Sequence, residues 1–270
     1  MMIKESLRRI VPKVIWFKIR AFYYKIVVLL ARLKFSFWGK FIDDYFDIPI
    51  IINNYNRLEY LLILIKCLEK RGYKNIHIID NNSTYPPLLD YYEKTPYDVI
   101  RLKKNVGYDA IWKTEVYNRF KKSYYVYTDA DLEIDEACPD NFMDFFVSVL
   151  KSHPFCQKVG FSLRIDDLPD CYSNKQKVIE IEKQYWKNPT TDGLYRAKID
   201  TTFALYRPFC KGACNGGYEV YRSAEPYIVR HLPWYIDSSN LSDEEKFYIN
   251  SGLIATEWSR TLMTSNSREC

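Results

Sequence analysis

The chain has no apolar run long enough to cross a bilayer. In its hydrophobic N-terminal segment the longest uncharged stretch is Ile26 to Ala31, six residues between Lys25 and Arg32. A spanning helix needs roughly 20. The same stretch is short for a secretory signal core, and no A-x-A-like cleavage site follows it. Cysteine offers no framework either. The seven cysteines are an odd number and scattered, and the Cys210/Cys214 pair has no second pair or histidine cluster to complete a zinc site. Reduced thiols in a cytoplasmic protein are the expectation. Acid is nearly missing from residues 1–40, which carry Glu5 against ten Lys/Arg. That segment holds +9 of a total of +5, which leaves a net −4 for residues 41–270. Internal repeats and low-complexity tracts are also lacking.

What is present is globular. The chain has 270 residues, 47% hydrophobic and 27% charged, enough for one large domain or one and a half. Aromatics reach 17%, with 24 Tyr. Such richness suits surfaces that stack on rings, or a protein at a membrane interface.

Residues 1–42 form a basic segment of their own. Val11, Val14, Ile15, Ile19, Phe22, Ile26, Leu29, Leu30 and Leu33 recur in steps of three and four, the period of one helix face. Trp16, Phe17, Tyr23 and Tyr24 lie beside the basic residues. This pattern predicts an amphipathic helix lying on an anionic membrane surface, at the inner face of the membrane. A helix packed on the domain, or one that binds a partner, is the alternative. The stripe argues against a nucleic-acid arm, and Lys103-Lys104 and Lys121-Lys122 read as solvated loop charges, so no nucleic-acid partner is expected.

From Asp47 onward strands and helices alternate. Apolar strands are expected over Asp47–Asn53, Asn75–Asp80, Asp98–Leu102, Ser123–Thr128 and Val159–Ile165. Helices are expected over Arg57–Arg71, Pro86–Lys94, from Ala110 to about Arg119, and over Asp140–Ser152. This alternation implies an α/β fold with a mostly parallel central sheet and helices on both faces. Tyr195–Arg207 and Tyr218–Arg222 read as further strands of an antiparallel C-terminal extension. Ser242-Asp-Glu-Glu245 is a capping box that opens a short helix. The expected body is residues 43–250, with halves at 43–135 and 136–250 and a tail at 251–270.

The fourth strand ends on Thr-Asp-Ala-Asp131. On an extended backbone, residues two apart point the same way, which brings Asp129 and Asp131 together at the sheet edge where α/β proteins bind ligands. Two ionised carboxylates repel unless a cation sits between them, and Mg²⁺ or Mn²⁺ takes such oxygen ligands. The plain alternative is a loop with two solvated aspartates.

Four motifs arrive in order: Ile-Pro-Ile-Ile-Ile-Asn-Asn-Tyr-Asn-Arg57, Ile-Ile-Asp-Asn-Asn-Ser83, Asn-Val-Gly107 and Thr-Asp-Ala-Asp131. In this order the chain resembles GT-A fold glycosyltransferases, most of all the family 2-like bacterial enzymes of polysaccharide and lipopolysaccharide type. The resemblance covers roughly residues 46–165 and, more weakly, the C-terminal third. It implies a nucleotide-sugar donor, UDP-sugar favoured, and a saccharide or lipid-linked acceptor. It places Tyr55, Asn56 and Arg57 at the nucleotide, with Asp80 as a hydrogen-bond acceptor for uracil, and Asn105 and Gly107 in a third nucleotide-contacting loop. Tyr55 as a core aromatic and Asp80 as the head of an Asx-turn are the alternatives. By resemblance Asp131 is the direct Mn²⁺ or Mg²⁺ ligand and Asp129 contacts ribose or a metal-bound water. His231 joins the metal or the diphosphate, or is structural.

On the acceptor side Asp200 stands where the family has its catalytic acid, as general base of an inverting transfer. Asp192 and Asp166 are its rivals. Trp234 and Tyr235 stack on a sugar or belong to the core. Arg230 faces the diphosphate, and the Trp186–Gly193 loop closes on the donor. The Gln-x-x-Arg-Trp signature of processive synthases is missing, which fits single addition. Two other functions compete with this one. A sugar-phosphate nucleotidyltransferase would need a Gly-rich phosphate loop after the first strand, and Asn53–Arg57 has no glycine. A non-catalytic membrane scaffold would have no use for Asp80, Asp129 and Asp131.

Overall fold

The structure is a computed structural model that describes residues 13–212 and 219–251. Cys214, Cys270, Tyr218 and nearly all of the expected tail fall outside the described residues. Within the basic segment, of which residues 1–12 fall outside the described residues, Lys13–Trp38 form one long helix, α1, and a 3₁₀ turn at Tyr45–Asp47 leads into the body. There β1 (Ile50–Asn54), α2 (Glu59–Lys70), β2 (Ile76–Asp80), α3 (Pro86–Tyr92) and β3 (Asp98–Arg101) alternate as the apolar pattern requires. The expected helix from Ala110 is broken into α4 (Ala110–Lys113) and α5 (Val116–Phe120), because Thr114 is extended, at φ −125° and ψ 170°.

Next come β4 (Tyr125–Asp129), β5 (Leu132–Ile134) and α6 (Phe142–Ser152). The single strand expected over Val159–Ile165 is two, β6 (Cys156–Gly160) and β7 (Ser162–Leu163), which belong to different sheets. The helix α7 (Lys175–Glu182) was not expected from the sequence. It is followed by β8 (Ala204–Tyr206), β9 (Glu219–Arg222), β10 (Ile228–His231) and α8 (Asp243–Asn250).

Among the described residues the main sheet has seven strands in the order β3-β2-β1-β4-β8-β6-β9. Only β8 runs antiparallel, to both β4 and β6. The expected extension is thus an antiparallel strand inserted in the middle of the sheet, and the edge strand β9 is parallel to β6. Most of the segment 195–203 is loop. Gly160 permits the close β6–β8 approach, since a Cβ there would sit 2.4 Å from the Phe203 carbonyl oxygen.

Side chains alternate across the sheet. Ile50, Ile52, Ile76, Ile78 and Val126 pack on one face with α2, α3 and α6 through Leu61, Leu64, Leu88, Phe142 and Phe146. Ile51, Ile79, Tyr125 and Tyr127 pack on the other with α4 and α5 through Ile111, Val116 and Phe120. The α/β class and helices on both faces are as the sequence predicts.

A second sheet, β5-β10-β7, folds over the carboxyl end of β4. The antiparallel pairing of β10 with β5 sets His231 opposite Leu132, one residue past Asp131.

Candidate active site

The carboxyl edge of the parallel strands opens into one cavity of about 600 Å³. Its wall includes Tyr55, Arg57, Asn105, Gly107, Asp129, Asp131, Asp200, His231 and Trp234, all singled out in the sequence. Short polar bonds within the loops put them there.

After β1 the chain turns sharply. Asn54 donates from Nδ2 to the Arg57 carbonyl (2.8 Å) and to the Tyr92 hydroxyl (3.0 Å). Asn56 takes φ +51°, and its Oδ1 accepts the backbone N–H groups of Thr84 (2.7 Å) and Tyr85 (3.1 Å). Asn56 is therefore a buried staple between two loops and is not brought to the cavity. Its neighbours Tyr55 and Arg57 are.

Asp80 is also held back. It is buried, its Oδ1 accepts the Ser83 N–H (2.9 Å) in an Asx-turn, and Oδ2 lies 3.6 Å from Arg101 Nε. Its neighbour Asn81 lines the cavity instead. Asn81 accepts the Val106 N–H (2.9 Å) and donates to the Gly107 carbonyl (2.9 Å), fixing the 105–107 loop. Gly107 itself has φ +91°, a backbone state that side chains disfavour.

Asp129 and Asp131 both reach the cavity, as the strand geometry predicts. Asp129 accepts the Thr201 hydroxyl, and its backbone N–H donates to the Thr201 carbonyl (2.9 Å). Burial, together with the Asp131 charge, pushes the Asp129 carboxyl well above the usual range. Burial also opposes ionisation of Asp131, but the charge and hydrogen bond of His231 outweigh it and hold Asp131 below its ordinary value. Asp131 Oδ2 is 3.4 Å from His231 Nε2. Asp131 Oδ1 and His231 Nδ1 are buried without a hydrogen-bond partner. An orphaned carboxylate oxygen beside an imidazole is a donor set that suits Mn²⁺ or Mg²⁺. Among the described residues no three His, Cys, Asp or Glu side chains converge as a metal cage. Two protein donors would thus need oxygens from a ligand.

The far wall was not legible in the sequence. Arg222 closes β9 and pairs with Glu182 at the end of α7 (2.7 Å), both nearly buried. Its guanidinium lies 4.4 Å from the centroid of the Tyr185 ring, and its Nε donates to the Lys198 carbonyl (2.6 Å). The buried Lys158 holds the loop that carries Asp200, donating to the carbonyls of Ile199 (2.9 Å) and Asp200 (3.1 Å).

The near wall is completed by α8. Its Ser242 caps Glu245, as the capping box predicts, at 3.2 Å. Glu244 accepts the N–H groups of Leu58 (2.7 Å) and Glu59 (3.1 Å) and so caps α2. Glu245 pairs with Arg57 at 2.5 Å and accepts the Tyr60 hydroxyl at 2.7 Å. Tyr248 lies over the Arg57 guanidinium and meets Tyr55 edge-on, with ring centroids 6.1 Å apart.

Several candidates lie elsewhere. Asp192 is in an exposed turn, 3.1 Å from His153 Nε2. Tyr235 donates to Asp167 (2.5 Å), and Arg230 pairs with Asp167 (2.7 Å) and Asp135 (3.2 Å), so neither faces the cavity. Asp166 pairs with Arg164 at 3.0 Å. Trp186 packs edge-on against Tyr195.

Solved structures to which the chain is similar include S. aureus TarS residues 1–349, at 12% identity and TM-score 0.43, over 80% of this chain and 68% of that one. A second structure of that protein, in complex with UDP, gives 13% identity and TM-score 0.43, over 74% of this chain and 62% of that one. GalNAc-T7 with UDP, GalNAc and Mn²⁺ gives 14% identity and TM-score 0.48, over 82% of this chain and 55% of that one. No protein-family model matches the sequence, and no curated protein does.

Proposed function

We propose that the chain is a metal-dependent glycosyltransferase. It moves a sugar from a nucleotide-sugar, UDP-sugar favoured, to a saccharide or lipid-linked acceptor in cell-surface polysaccharide or lipopolysaccharide synthesis. The observation that carries this reading is the orphaned Asp131 Oδ1 beside His231, in the same cavity as Tyr55, Arg57 and the Asn81-fixed loop.

Tyr55, Arg57 and Tyr248 take the base, and the 105–107 loop approaches the nucleotide through backbone. Asp129, fixed by Thr201, orients the ribose or a metal-bound water. Asp131 and His231 would hold the divalent ion. When bound, that ion neutralises the charge that grows on the departing nucleoside diphosphate. Asp200 accepts the proton of the acceptor hydroxyl as its oxygen bonds the sugar's anomeric carbon and the bond to the diphosphate breaks. The nucleophile attacks opposite the leaving group, so configuration inverts. Trp234, beside His231 at a ring separation of 4.6 Å, is buried in the main hydrophobic cluster and supports the imidazole as a core residue.

Among the described residues no helix is long and apolar enough to cross a membrane. We assign α1 to peripheral contact with an anionic membrane surface, at its inner face. A screen of UDP- and GDP-sugars for slow hydrolysis, with Mn²⁺ and with chelator, tests the catalytic reading. Release of UDP from at least one donor, only with metal, is expected. No release from any donor contradicts it.

A further inference from the structure

The helix α1 carries an apolar stripe that the fold leaves outside. Its docked face is Val28 and Ala31, buried against Phe209 and Cys210, with Phe35 meeting Tyr124 at 6.0 Å. Lys25 Nζ lies 5.4 Å from the Phe155 ring centroid, and the Lys40 N–H donates to the Lys122 carbonyl (2.8 Å). These partners enter β4, enter β6 and leave the antiparallel β8. All of them stand at the amino-terminal edge of the parallel strands. The cavity stands at the other edge, where Asn54, Asp129 and Arg222 close β1, β4 and β9. The helix therefore crosses the floor of the sheet, and the cavity opens at its top.

Ile15, Ile19, Phe22, Ile26, Leu29 and Leu33 follow one another in steps of three and four and are 39% to 65% exposed. At about 100° per residue this stripe is centred roughly half a turn from Val28, Ala31 and Phe35. It points away from the sheet, and so away from the cavity. Lys18, Lys25 and Arg32 line one margin and Lys34 the other, and residues 13–40 contain no Asp or Glu. An apolar stripe between basic margins fits anionic lipid. A second copy of the same face would bring like charges together.

We infer that the membrane-bound enzyme turns its cavity away from the bilayer, so that its acceptor is the carrier-distal end of a glycan long enough to stand clear of the membrane. This rests on the glycosyltransferase reading and on the membrane contact of α1. Five residues of β4 at about 3.3 Å each, plus the half of a helix of about 10 Å that stands clear of the interface, put the reacting centre on the order of 20 Å above the lipid headgroups. A sugar attached directly to a lipid phosphate would not reach it.

Hydrogen exchange on the full chain, with phosphatidylcholine vesicles with and without phosphatidylglycerol, tests the orientation. Added protection over residues 13–38 on the anionic vesicles is expected, with peptides over 105–109 and 183–187 at the cavity mouth unchanged. New protection at the mouth would overturn the orientation. Failure to bind anionic vesicles at all would overturn the membrane contact, while donor hydrolysis on the same sample reports the catalytic reading separately. Phe22→Asp, at an exposed site, should weaken vesicle binding at least tenfold and leave donor hydrolysis unchanged. Wild-type binding by this variant, or a solution dimer that it dissociates, would count against the lipid assignment. With labelled donor, delipidated envelope glycan should accept sugar within about threefold of the lipid-linked form. A tenfold preference for the lipid-linked form would contradict the inference.

Discussion

The Arg57 guanidinium lies under the Tyr248 ring, 3.7 Å from its centroid, and joins residues 191 positions apart in the chain. Glu245 locks the pair from the side at 2.5 Å. Through this contact α8 becomes part of the cavity wall. Burial opposes the charge on Arg57, and the Glu245 carboxylate outweighs it and raises the pKa of the guanidinium. Removing the carboxylate leaves a buried cation unpaired. Glu245→Ala should cost about 3–5 kcal/mol of stability, read by urea unfolding. An unchanged midpoint and slope would show that the pair carries no such weight.

Tyr248→Ala acts on binding more than on folding. It removes an aromatic face from the cavity and a cation–π partner worth about 1–2 kcal/mol. The UDP dissociation constant should rise roughly tenfold, while Tyr248→Phe stays near wild type.

Asp200→Asn separates the two halves of the site. It keeps the shape of the side chain and removes the proton acceptor. Transfer should fall by about 10² to 10⁴, with UDP affinity unchanged by calorimetry. An equal fall in both would mean that Asp200 serves the donor and not the acceptor.

Asn56 illustrates what the sequence hides. Its order in the motif points to the nucleotide, but its side chain spans to Thr84 and Tyr85, and its backbone has positive φ. Asn56→Ala should destabilise the fold by about 1–3 kcal/mol. Asp80 likewise carries the motif but is spent on the Ser83 turn, and Asn81 faces the cavity. In both loops the motif marked the right segment. Tertiary hydrogen bonds decided which neighbour faces inward.

The repeating strands and helices of the first 130 residues were legible because apolar period and turn residues agree there. The strands β5, β8 and β10 are three or four residues long and show no period. Arg222, Glu182 and Tyr248 reach the cavity only through long-range packing, so no local signal marked them. His231 was a lone histidine in the sequence, and the β5–β10 pairing brought it to Asp131.

Asp167 predicts part of the acid response. Burial opposes its charge, but Tyr235, Arg230 and Arg164 hold its carboxyl below the ordinary value. The unfolded chain then binds more protons in that window, so this contribution is full at neutral pH. It is lost as pH falls below the ordinary carboxylate value of about 3.9. Asp167→Asn should flatten the acid limb of stability against pH, measured by thermal melts between pH 3 and 6. A limb identical to wild type would remove Asp167 from the account.

The most direct measurement is calorimetric titration of UDP into wild type and Asp131→Asn, each with Mn²⁺ and with chelator. Wild type should bind UDP at least tenfold more tightly with Mn²⁺, and the variant should show the same weak affinity in both buffers. Metal-dependent UDP binding that survives Asp131→Asn would contradict the assignment of the ion to Asp131 and His231.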